Sequence, residues 1–253
     1  MKMNNMMYDS SEVPEWLRFA FLQTGYRRGG GIQSNLLTLF SWHNQTVNAW
    51  TMILVSVFSI SAFSFLVVSR GCDILPFACL TIAAIIHIPF TLGYHLLMPI
   101  SKEVYVKWRH LDSAFIFIGL CFLCFGLSYY IFPMPVVLVL TGISTVVAYK
   151  SIKNIQCVQG AYNKKKQAKL VATMIMVCLC PLLCTCIQLE CWLYMAIIIG
   201  SFVVGGYIYA EHIPERFFPR TFDYIGSSHN IMHVCILMAH VVMYIVVYKS
   251  SKF

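Results

Sequence analysis

The chain has 253 residues, of which 59% are hydrophobic and only 11% charged, with a formal net charge of +8. A soluble domain carries about 25% charged residues, so a soluble enzyme or binding module is excluded and a polytopic membrane protein is expected. In such a chain the positive balance belongs to topology and anionic lipid, so no nucleic-acid partner is expected.

Residues 1–48 are read as a cytoplasmic amino-terminal segment. They hold Asp9, Glu12, Glu15, Arg18, Arg27 and Arg28 and no leading apolar run, so no secretory signal peptide is expected and the first span directs insertion. Pro14–Leu22 mixes aromatics and charge in a pattern suited to the membrane interface. Gly29, Gly30 and Gly31 break the chain without phosphate-loop spacing. Seven apolar stretches follow, each long enough or nearly so to cross a core of roughly 30 Å as a helix: Ala49–Ser69, Ile74–Leu97, Asp112–Ile131, Met134–Ser151, Leu170–Ile187, Trp192–Ala210 and His229–Tyr248. None alternates apolar and polar residues as a barrel strand would. The predicted fold is all-α, a seven-transmembrane-helix bundle over 49–248 with a short outside tail, 249–253.

Basic residues orient it. With the amino terminus and every second loop on one side, that side holds 15 Lys and Arg and the other only Arg70, Lys249 and Lys252. The amino terminus is therefore expected in the cytoplasm and the carboxy terminus outside. The sequon at Asn44 then lies on the wrong side for glycosylation. Lys150–Lys169 is expected as the longest loop between spans, with Lys164, Lys165, Lys166 and Lys169 facing anionic lipid or acting only as topology determinants. Cys121, Cys124, Cys178, Cys180, Cys184 and Cys186 fall inside apolar helices and are read as packing residues. Cys72 and Cys191 fall in outside loops, where an oxidising compartment would let them pair.

Ionisable side chains at the ends of spanning helices need partners or a task. His95 closes the second apolar stretch, Asp112 opens the third, and His229 and His233 open the seventh. Under the expected topology all four share one membrane depth. His229 and His233 are four apart, so a helix stacks them on one face where two imidazoles reach one zinc. Alone that pair is weak, the alternative being interfacial histidines bonded to backbone or headgroups. His95 and Asp112 at the same depth strengthen it, with His212 beside Glu211 as the competitor.

At these residues the chain resembles the progestin and adipoQ receptor family. Val13–Leu17, Gly25–Arg27 and Ser41–Thr51 are similar to its amino-terminal signature; Ile213–Pro219, Phe222–Gly226 and Ser228–His233 are similar to its carboxy-terminal one. The membrane progestin receptor branch is the nearer match. The resemblance implies a cytoplasmic amino terminus and a zinc site near the cytoplasmic face, with His95, His229 and His233 as ligands and Asp112 holding the metal's water. Thr91 stands where the family usually has serine, Ser113-Ala114-Phe115 where it favours Tyr-x-Gly, and Asn230 where glutamine is commoner.

Two function classes follow. The resemblance implies a receptor for a steroid or an adiponectin-like hormone, and the short outside loops favour a small lipophilic ligand entering from the bilayer. The same constellation is similar to that of alkaline ceramidases, which implies a zinc-dependent amide hydrolase acting on ceramide-like lipid. Asp112 would then be the base and Thr91 the oxyanion donor. A third alternative is zinc as a staple between the second and seventh helices. Membrane lipid is a partner in any of these; a receptor also implies a cytoplasmic partner, which no motif names.

Overall fold

A computed structural model of the chain describes residues 7–69, 73–156, 164–189 and 192–252, with side chains left aside at 156, 164–168, 181–182 and 184–189. The described residues form helices and turns, joined by one isolated bridge between Tyr8 and Tyr26. The helices are α1 (Ile32–Leu37), α2 (Thr46–Ser69), α3 (Ile74–Ile85), α4 (Ile88–Leu97), α5 (Lys102–Ser128), α6 (Met134–Gln156), α7 (Lys164–Leu189), α8 (Trp192–Glu211) and α9 (Ser228–Ser250). Among the described residues six segments are long and apolar enough to cross a membrane, and α3 with α4 makes one of them, Ile74–Leu97. In α7 the described apolar stretch is the shorter Lys169–Cys180. The chain is an integral multi-pass membrane protein.

Several helices outrun their apolar stretches. α5 begins at Lys102, so Asp112 sits well inside a helix and does not open one. α6 continues to Gln156 and α7 starts at Lys164, which makes helix of most of the expected Lys150–Lys169 loop. The physical reason is common to all three. An apolar run marks where side chains meet hydrocarbon, whereas the backbone ladder satisfies its own hydrogen bonds and continues into polar sequence. Between α3 and α4 the helix breaks at Ile86-His87, just before Pro89, whose missing N–H and ring disfavour an unbroken ladder. Cys72 and Cys191 lie outside the described residues.

Backbone contacts divide the chain into two compact units. The first takes residues 1–54, 88–112 and 204–235. Its amino-terminal strap folds into short 3-10 turns at Ser10–Glu12 and Glu15–Leu17. Val13, Leu17, Leu22 and Tyr26 of the strap are buried with Tyr94 of α4 and Met98 just beyond it, and Trp16, Phe19, Tyr105 and Trp108 pack around them. The buried apolar side chains of the strap thus pack on protein, while Phe21 stays 46% exposed. Tyr26 closes the strap, accepting from Phe19 N at 2.9 Å and donating to the Leu22 carbonyl at 3.0 Å. Burial pushes its phenol pKa up to about 12.

Asp223 ties the strap to the turn before α9. It is 1% exposed, and its Oδ2 accepts from Gln23 N at 3.1 Å, Thr24 N at 2.7 Å and the Thr24 hydroxyl at 2.8 Å. Asp223→Ala leaves two half-buried N–H groups, of Gln23 and Thr24, without their acceptor, each costing up to about 1–3 kcal/mol. The expected result is a loss of roughly 3 kcal/mol, read as a lower melting temperature in detergent. An unchanged melting temperature would mean that the strap is held by its apolar contacts alone.

The second unit takes residues 55–87, 113–203 and 236–253. Its core gathers Phe77, Leu80, Leu123, Leu127, Ile198, Ala239, Met243 and Val247. At Gly119 a β-carbon would stand 2.8 Å from the Ala83 carbonyl, and at Gly126 2.9 Å from that of Pro76. The absence of a side chain lets α5 lie against α3, as small residues do in membrane interiors. Cys124 and Cys178 are buried with Phe117 and Met174, and the Cys178 thiol donates to the Leu120 carbonyl at 3.1 Å. His240, deep in α9, meets the Ser59 hydroxyl at 2.9 Å.

Candidate metal centre

Thr91, His95, Asp112, His229 and His233 all fall in the first unit. His95 lies in the last turn of α4 and is 1% exposed. Its carbonyl and that of Leu96 are orphan acceptors at a helix end, and Arg27 takes both: Nη2 donates to the His95 carbonyl at 2.6 Å and Nη1 to the Leu96 carbonyl at 3.2 Å. The other partner of Nη1 is the Thr38 hydroxyl. Burial lowers the Arg27 pKa to about 9, which leaves it charged at neutral pH beside the negative end of α4. On the neighbouring side Trp108 covers Gly93, where a β-carbon would lie 2.1 Å from the indole. The turn carrying His95 is therefore held from both sides.

His229 and His233 enter from the first turns of α9. Its start is capped twice. Ser227 Oγ accepts from Asn230 N at 3.5 Å while Asn230 Oδ1 accepts from Ser227 N at 3.3 Å, a reciprocal capping box. The Glu215 carboxylate accepts from Ser228 N at 2.7 Å and from the Ser228 hydroxyl, a favourable place for negative charge.

These frames bring the three imidazoles together. Ring centroids are 5.2 Å apart for His95 and His229, 5.8 Å for His95 and His233, and 4.6 Å for His229 and His233. One ligand nitrogen from each lies within 4.8 Å of the other two. Among the described residues this is the one group of three or more potential metal ligands. Tetrahedral zinc with Zn–N bonds of about 2.0–2.1 Å asks for nitrogens about 3.4 Å apart, so small side-chain shifts close the set. Three imidazoles with one position left over form the donor set of a catalytic zinc. The residues fit the ion.

The remaining sequence-derived residues separate. Thr91 is 1% exposed and one helical turn before His95, hence on the same face of α4. Asp112 is half-buried on α5 and outside the three-imidazole group. His212 is outside it too; its Nδ1 is 3.9 Å from Glu215 Oε1. His43 is fully buried, accepting from Gln45 N at 3.0 Å and meeting the Thr38 carbonyl at 3.1 Å. Burial, then the nearby Arg27 charge, press its pKa down to about 2, so it stays neutral and structural.

Sequence reasoning missed the polar residues behind the imidazoles. Gln45 Oε1 is 2.9 Å from His95 Nδ1, and the Thr51 hydroxyl is 2.8 Å from His233 Nδ1. Gln45, Asn48 and Thr51 were visible as polar residues at the head of an apolar span, spaced three apart and so near one helical face. Such groups need partners, but their sequence does not say which.

The haemolysin-III-related family model matches residues 40–244. Membrane progestin receptor alpha-B of Danio rerio is 28% identical over 92% of this chain and 73% of its own length. Adiponectin receptor protein of Drosophila melanogaster is 25% identical over 92% of this chain and 56% of its own length. Membrane progestin receptor gamma of Mus musculus is 42% identical over 50 residues, which are 20% of this chain and 15% of that protein. The matched region takes in α2 to most of α9, including all three converging histidines: the chain belongs to the haemolysin-III-related family, that of the progestin and adipoQ receptors.

Proposed function

We propose that the protein is a membrane receptor of the progestin and adipoQ type, with seven spanning helices and a zinc ion held by His95, His229 and His233. Its ligand is a small lipophilic molecule of steroid type. The reading rests above all on the convergence of three imidazoles from α4 and α9, those of His95 and His233 buried and that of His229 half-buried. The steroid class is supported by the relatives named membrane progestin receptors. For a seventh span the support is α7, helical over Lys164–Leu189. For a cytoplasmic amino terminus and an outside carboxy terminus it is the excess of basic residues on one side.

Bound there, zinc would supply a Lewis acid with an open position and lower the pKa of a coordinated water toward about 7. A second reading, amide hydrolysis of a ceramide-like lipid, is favoured by Thr91 and Asp112 sharing the unit of the three histidines. In it the Asp112 carboxylate takes the proton of the attacking water, and the Thr91 hydroxyl donates to the amide oxygen as negative charge grows.

Elemental analysis of the purified protein tests the metal, with about one zinc per chain expected. Equilibrium binding of a labelled progestin to the same preparation tests the receptor. A protein without zinc overturns the metal centre, and one indifferent to steroids overturns the ligand class. Ceramide turnover that stops on chelation would make hydrolysis its chemistry.

A further inference from the structure

A chain of hydrogen bonds begins at the cap of α9 and ends on His95. The backbone N–H groups of Gly226 and Ser227 can only donate, and both meet Asn230 Oδ1, at 2.9 Å and 3.3 Å. That fixes the Asn230 amide, with its oxygen toward the backbone and Nδ2 turned away. Nδ2 donates to Asn48 Oδ1 at 2.6 Å. With its oxygen engaged, Asn48 donates from Nδ2 to Gln45 Oε1 at 3.0 Å. The same Gln45 oxygen stands 2.9 Å from His95 Nδ1. An amide oxygen only accepts, so His95 carries its proton on Nδ1 and keeps the lone pair of Nε2.

His233 is set in parallel. Thr51 has one hydroxyl proton and gives it to the Asn48 carbonyl at 2.9 Å. At its 2.8 Å contact with His233 Nδ1 it must therefore accept. His233 too is protonated on Nδ1. Gln45, Asn48 and Asn230 are 2%, 1% and 4% exposed, so reversing any one of them would set donor against donor away from solvent.

We infer that Asn230 and Asn48 are positioning residues for the metal centre: through Gln45 they fix the tautomer of His95, while Thr51 fixes that of His233, so that both present Nε2 to a divalent ion. The inference rests on the metal-centre reading above. It makes Asn230, which touches neither ion nor substrate, a determinant of metal affinity through the outer hydrogen bonds of the ligands.

Asn230→Asp tests it with a nearly isosteric change. One carboxylate oxygen still accepts from Gly226 and Ser227, but the other presents an acceptor to Asn48. Asn48 then turns to donate, its oxygen faces Gln45, and Gln45 turns to donate to His95 Nδ1. The His95 proton moves to Nε2, the nitrogen needed for the metal. Zinc affinity of the purified protein, measured by competition with a chelator, is expected to fall about 10–100-fold. A new negative charge acting alone would instead tighten the binding of a dication. Equal or tighter affinity therefore overturns the relay.

Metal-free melting curves check that the variant folds. Should it not, Gln45→Glu and Gln45→Met replace it: the first keeps an acceptor toward His95 and is expected to hold zinc at least as tightly as the wild type. The second is expected to weaken zinc about 10–100-fold, and equal affinity of the two overturns the proposal. Imidazole nitrogen shifts of the metal-free, 15N-histidine-labelled protein read the tautomer directly. If the wild type takes up no zinc, the metal-centre reading fails, while an Nδ1–H signal from His95 upholds the relay and an Nε2–H signal overturns it.

Discussion

Changing His229 and His233 together to alanine is expected to take the protein from about one zinc per chain to none measurable. His95 would remain as a single imidazole, and one neutral nitrogen does not hold zinc against water at micromolar concentrations. The start of α9 should survive, because its caps are Ser227, Asn230 and Glu215 and none of these is changed. His212→Ala is the control. His212 lies outside the imidazole group and faces Glu215 at 3.9 Å, so its loss should leave zinc in place. Elemental analysis with a circular-dichroism check of helix content decides the matter; full zinc content in the double variant would remove the site.

Six of the seven expected spans were legible because burial in hydrocarbon writes itself into composition; for the stretch Leu170–Ile187 the described apolar run is the shorter Lys169–Cys180. Ile74–Leu97 has the same bounds as a candidate span in the structure, and Trp192–Ala210 differs from its span by one residue. The helix ends were not legible. Lys102–Leu111 reads as a charged loop by hydropathy, yet its backbone closes its own hydrogen bonds whatever its side chains meet. The three histidines were legible in part for a related reason: ionisable groups at span ends are few, and i,i+4 spacing places two of them on one face, while the choice of His95 over His212 came from the family resemblance.

What stood behind the histidines was hidden. The direction of an amide depends on neighbours brought together by folding, and Asn48 and Asn230 are 182 residues apart in the chain. A sequence can say that a buried carboxamide must be satisfied, and nothing in it says which pole faces which partner. The seat of the Trp108 indole on Gly93, which keeps the His95 turn in place, is equally a fact of packing.

Asp112→Asn separates chemistry from scaffolding. Asp112 stands outside the group of converging imidazoles, so the change removes no ligand and zinc content should stay at the wild-type value. The amide keeps the shape of the carboxylate and loses its basicity. Under the hydrolase reading, turnover of a long-chain ceramide should therefore fall by roughly 10² or more, the usual scale for a lost general base. Under a purely structural reading Asp112→Asn should change little, whereas His95→Ala should lower the melting temperature by cutting the metal link between α4 and α9. The two variants thus respond in opposite patterns, and each is read against its own zinc content. A protein that retains zinc, hydrolyses no long-chain ceramide and still binds a progestin has no work for Asp112 as a base, and the receptor reading then stands alone.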